Sequence, residues 1–185
     1  MVWQTHLVFG LLFSLAGLQL LGLPLTIGAA LLAALGSLLP DLDASESKVK
    51  HLRLPLGRRT RNAIKPFGVV SDTAHAVFGH RGLLHSFVAV LLLTGLLVIV
   101  QLTVGGSDQL YLALLLGYTS HLLIDSFTKS GTRLLYPLPI TIRFLPHPIA
   151  VRTGSVVDYL IAGIIVFLLL AWIGTNPTLL TELIS

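Results

Sequence analysis

"LLHSFVAVLLLTGLLVIVQLTV", residues 83–104, decides what solvent this chain lives in. After His85 no ionisable side chain interrupts the run, and at about 1.5 Å per residue in a helix it reaches across a hydrocarbon core roughly 30 Å thick. Residues 109–127 and 156–174 read the same way. The first 40 residues are apolar too, but "GLP" at 22–24 divides them, since glycine and proline break helices. They predict two short spans or one re-entrant hairpin. The expectation is therefore an all-α fold, a polytopic membrane helical bundle of about five transmembrane helices whose first two are short. Residues 1–185 form one integral membrane domain in this reading, and 41–79 and 128–155 are its two long polar segments.

Composition agrees. With 54% hydrophobic and 11% charged residues in 185, and a mean hydropathy of +0.88, the chain has more apolar surface than a soluble domain of its size can bury. It contains no cysteine, which excludes disulfides and thiolate metal sites. "MVWQTHLVFG" lacks the basic stretch of a cleaved signal peptide, although "GAALLAALG" offers small residues for cleavage, and the N-terminal segment is expected to be retained.

Charge supplies an orientation. Five crossings put the turns at 22–24 and 105–108, with the C-terminus, on the side opposite the N-terminus. All twelve lysines and arginines then fall on the N-terminal side. The positive-inside rule makes that side cytoplasmic and the C-terminus external, in a multi-pass protein of the cell (inner) membrane. Its basic surface meets the leaflet that carries anionic lipid, so the bilayer is the expected partner and nucleic acid is not.

The same topology gathers the metal-ligand residue types. His6 opens the first apolar segment, Asp41 and Asp43 ("PDLD") close the second, and His80 and His85 ("HRGLLHS") open the third. His121 and Asp125 ("HLLID") end the fourth, and Asp158 opens the fifth. All eight land on the cytoplasmic side. Polar residues are common at helix ends near an interface, and a turn after Pro40 also accounts for Asp41 and Asp43. His121 and Asp125 are more telling, because residues four apart share one helical face, here within an apolar run where ionisable groups are costly and usually functional. Five residues apart, His80 and His85 stand about 140° apart on an ideal helix, so they flank two ions or begin outside the helix.

Four histidines and four aspartates exceed what one ion needs. They suit two divalent ions, about 3.5–4 Å apart. Nitrogen and hard oxygen without sulfur point first to zinc, with manganese, iron or magnesium as alternatives. Such a centre acidifies water at neutral pH and stabilises charge on a phosphoryl or acyl oxygen. Asp41, His85 and Arg81 are the candidate catalytic groups. Arg81, Ser86, Lys129 and Arg133 are the candidates for binding substrate, since guanidinium groups grip phosphate in a fork, although an arginine here could equally set topology or snorkel. No G-x-S-x-G elbow supports serine chemistry around Ser86.

"THLVFG", "PDLD", "HRGLLHS", "HLLIDSFTKSGTRLLYPLP" and "TGSVVD", in that order through nearly the whole chain, resemble the YdjM and YbcI family of inner-membrane proteins, described as membrane-bound, metal-dependent hydrolases, some of them LexA-regulated. The resemblance implies a helical membrane fold and metal-binding roles for His6, Asp41, Asp43, His80, His85, His121 and Asp125. Asp158 stands where that family tends to have glutamate, and Leu84 where it often has threonine.

Residues and resemblance together lead to a metal-dependent hydrolase at the cytoplasmic leaflet, acting on a phosphoester of a lipid or lipid-linked substrate. A metal-ion transporter or sensor is the alternative, but it needs a polar route to the far side, where Asp108 and Glu182 are the only charged residues. A non-catalytic scaffold with structural metal is the third reading. The sequence carries no signal for oligomeric state.

Overall fold

The computed structural model describes residues 1–43, 82–176 and Leu179. Within them lie five α-helices, α1 (Trp3–Leu20), α2 (Ile27–Leu38), α3 (Phe87–Val104), α4 (Asp108–Asp125) and α5 (Val156–Thr175). One 3-10 turn, Leu39–Asp43, follows α2 directly, and another, Leu83–His85, precedes α3. No strand occurs among the described residues. Two isolated bridges, Thr128 with Val151 and Thr132 with Ile142, fold the segment after α4 back on itself.

The break at 22–24 is a helix end followed by a new start. Gly22 has φ 68°, the Leu23 amide reaches back to the Leu18 carbonyl, and the Gly22 amide reaches that of Gln19. This is a Schellman stop, for which glycine is suited because it takes positive φ without a Cβ penalty. Thr26 then caps α2, its hydroxyl accepting from the Ala29 amide at 3.2 Å. The two halves are unequal. α1 has 18 residues and α2 only 12, about 27 Å and 18 Å at the helical rise. Among the described residues, α3 and α5 are the two helices long and apolar enough to cross a membrane by themselves.

α4 is the centre of the bundle. It packs on α2, α1 and α3, while α5 packs on α1. The α2–α4 crossing is backbone against backbone, because a Cβ on Gly36 would lie 2.2 Å from the Leu114 carbonyl oxygen and one on Gly117 would lie 2.2 Å from that of Ala33. Small residues allow such approach where lipid removes the hydrophobic drive for helix association.

The distribution of polarity is inverted relative to a water-soluble protein. Leu31, Leu91, Leu102, Val156 and Phe167 are exposed, whereas Thr5, Ser37, Ser120 and every member of the histidine cluster below except Asp41 are buried. Apolar side chains on the outside are stable where the outside is hydrocarbon. One end of the bundle is dry, filled by Leu15, Leu18, Leu25, Ala29, Ala33 and Ala113. The other end holds the buried histidines and aspartates.

Candidate metal centre

At that polar end, four elements each bring a ligand-type side chain to one point. α1 brings His6 one turn from its start, the turn after α2 brings Asp41, the turn before α3 brings His85, and the last turn of α4 brings His121 and Asp125. His6, His85, His121 and Asp125 have at most 1% exposure, but the Asp41 side chain retains 31%. Asp41 is thus the outermost member.

Two independent contacts hold the pieces. Tyr118 of α4 donates its phenol to the Leu84 carbonyl at 2.5 Å, which fixes the turn carrying His85. His121 Nδ1 lies 2.7 Å from the Ser37 carbonyl of α2. A carbonyl only accepts, so Nδ1 carries hydrogen and the lone pair is on Nε2. Metal-ligating histidines are characteristically oriented by such a bond on the far nitrogen. The close α2–α4 crossing brings that carbonyl within reach.

The donor atoms are spaced for a divalent ion. His121 Nε2 is 3.6 Å from Asp41 Oδ1 and 4.0 Å from Asp125 Oδ2, His85 Nε2 is 3.8 Å from Asp41 Oδ1, and His6 Nε2 is 3.2 Å from Asp125 Oδ1. A tetrahedral site with bonds of about 2.05 Å has ligand–ligand edges of about 3.3 Å. Two triads, His6–Asp41–His121 and His85–His121–Asp125, have all their ligand atoms within 4.8 Å of one another. Buried His121 Nε2 has no hydrogen-bond partner among the described residues. An unsatisfied buried polar atom costs about 1–3 kcal/mol, a cost that coordination removes. The residues present therefore fit a divalent metal. The Met1 α-ammonium also lies here, 2.6 Å from Asp125 Oδ1.

Other residues singled out by sequence sit differently. Asp158, fully buried at the start of α5, accepts from Thr5 Oγ1 at 2.8 Å, the Val2 amide at 3.0 Å and the Gly154 amide at 2.9 Å, and belongs to neither triad. Ser86 caps α3, donating to the Leu83 carbonyl at 2.6 Å and accepting from the Ala89 amide at 3.4 Å. Lys129 is half-buried and Arg133 exposed, and neither forms an ion pair among the described residues. His80, Arg81 and the side chain of Asp43 lie outside the described residues. Ser37 was not legible beforehand, since its contribution is a backbone carbonyl that any residue would carry. Asp158 did carry a second signal, because S-x-x-D at 155–158 is the spacing of a helix capping box.

Fold and site define a helical membrane protein with a buried histidine–aspartate cluster able to hold metal ions. The chain belongs to the YdjM inner membrane protein family, whose model matches residues 1–181. It is 29% identical over 161 residues to the uncharacterized protein YvsG of Bacillus subtilis, covering 87% of each chain. It is also 37% identical over 107 residues to the inner membrane protein YdjM of Escherichia coli, and that match covers 57% of this chain and 47% of the relative. The YdjM protein of Shigella flexneri matches to the same extent. No solved structure matches the chain at the level at which these relatives do.

Proposed function

We propose that this protein is a metal-dependent hydrolase of the inner membrane, acting at the cytoplasmic leaflet on a phosphoester of a lipid or lipid-linked molecule. The observation that carries the reading is the convergence of three imidazoles and two carboxylates from four elements at one end of an apolar bundle, all of them buried except Asp41. Depth favours a lipid substrate, because the acyl chain remains in the bilayer while its head group meets the cluster. The topology that goes with it has five crossings, the N-terminus and the site cytoplasmic, and the C-terminus outside.

A divalent ion held there, zinc before manganese, iron or magnesium, supplies Lewis acidity toward a phosphoryl oxygen and acidifies water. The protein's own residues do the rest. His85, His121 and Asp125 form the wall, with His121 held in one tautomer by Ser37. Asp41 is the member in contact with the exterior, so its carboxylate takes the proton from attacking water. Arg81, Lys129 and Arg133 are the cations for the phosphate, whereas the Ser86 hydroxyl is engaged in capping.

The test is hydrolysis by metal-loaded protein in lipid nanodiscs, offered phospholipids, isoprenoid phosphates and acyl esters. Turnover of a phosphoester is expected, with Asp41→Asn slowing it about 10²–10⁴-fold as loss of a proton-transferring group does. Metal-loaded protein that released no product from any of these substrates would overturn the reading.

A further inference from the structure

Proximity groups His6 with His121, yet the orientation of their rings separates them. The two imidazoles are stacked, with centroids 3.8 Å apart and planes 11° from parallel. A ring nitrogen offers its lone pair in the plane of the ring. One ion about 2.05 Å from a nitrogen of each stacked ring would lie between the planes, displaced from both by most of the bond length. Neither lone pair points there. Parallel stacked imidazoles can each hold an ion in their own plane, and those ions lie about one ring spacing apart when the two lone pairs point the same way.

Asp125 is placed to span such a pair. Its Oδ1 is 3.2 Å from His6 Nε2 and its Oδ2 is 4.0 Å from His121 Nε2, so the two oxygens of one carboxylate face the two rings. On the other side His85 meets His121 edge-on, at 5.2 Å and 70°, an angle at which both lone pairs can converge on one ion. Asp41 Oδ1 lies within 3.8 Å of both His85 Nε2 and His121 Nε2 and joins that same set.

We infer that the cluster is a dinuclear divalent-metal site divided by the stacked rings, with His121, His85 and Asp41 on one ion, His6 on the other, and Asp125 bridging the two. A separation near the ring spacing falls in the range of about 3.5–4 Å known for two-metal hydrolytic centres. The inference rests on the metal-binding part of the proposed function and adds to it how the ligands divide between two ions.

The deciding measurement is metal content and electron paramagnetic resonance of the purified full-length protein loaded with Mn²⁺. Two ions per chain with an exchange-coupled spectrum are expected, and His6→Ala should hold one ion with an uncoupled six-line signal. One ion per chain and an uncoupled spectrum in the unaltered protein would overturn the division, whatever the variant does. Coupled ions retained at two per chain in folded His6→Ala would also overturn it. Two coupled ions without phosphoester turnover would leave the inference standing and remove the hydrolase reading, while turnover with a single ion would do the reverse.

Discussion

Asp158 has both carboxylate oxygens committed. Oδ1 accepts from Thr5 Oγ1, and Oδ2 accepts from the amides of Val2 and Gly154, so one buried side chain ties the start of α1 to the start of α5. His6 follows Thr5 directly, so the clamp sets where the first ligand-bearing turn begins. Removing a charged acceptor leaves buried donors unpaired, and Asp158→Ala should cost about 1.5–3 kcal/mol of stability. Thermal unfolding in detergent would show that loss, while metal bound per folded chain at saturating metal should stay unchanged. Loss of metal from folded protein would instead make Asp158 a ligand. Its sequence position suggested a ligand because it is an acid at the correct end of a helix, yet the same position is where a carboxylate caps backbone amides. His121 and Asp125 were legible for a firmer reason: four-residue spacing inside an apolar helix leaves them few partners except each other and whatever they bind. The stacking of His6 on His121 could not be read, since it joins residues from helices whose relative rotation no local pattern specifies.

At the scale of elements, the α2–α4 crossing controls the site from a distance of one turn. Gly36 and Gly117 each lie against a carbonyl of the opposite helix, and the next residue along α2, Ser37, supplies the carbonyl that orients His121. Even one methyl group forces the helices apart there. Gly117→Ala should lose about 1–3 kcal/mol, the usual cost of overpacking, and bind metal more weakly because the Ser37 carbonyl moves off Nδ1. Gly163→Ala in α5 is the control, since a Cβ there meets nothing within 4 Å. Unfolding temperature and metal affinity measured side by side decide the matter, and a Gly117→Ala protein that matched Gly163→Ala in both would contradict the coupling. The existence of the helices was readable from hydropathy and breakers. The central place of α4 was less so, although its glycine, serine, histidine and aspartate were a sign of helix contacts, as α3 and α5 lack that mixture.

For the whole molecule, inversion of polarity and asymmetry of charge bear on different questions. Apolar residues outside and polar residues inside fit a lipid solvent but do not say which end faces the cytoplasm. Charge addresses the end: Lys129, Arg133, Arg143 and Arg152 lie in the segment between α4 and α5, on the side of the histidine–aspartate cluster, while the α3–α4 turn at 105–107 has no basic residue. In the topology proposed above, the positive-inside rule puts the cluster toward the cytoplasm. Because the chain has no cysteine, single introduced thiols report sidedness without background. Ser107→Cys, in the α3–α4 turn, should react with a membrane-impermeant maleimide in cells whose outer barrier alone is opened. His147→Cys, exposed between α4 and α5 and outside the cluster, should react only after the inner membrane is permeabilised. The reverse pattern would turn the molecule over, put the cluster on the external leaflet, and exclude lipid-linked phosphoesters confined to the cytoplasmic leaflet as substrates.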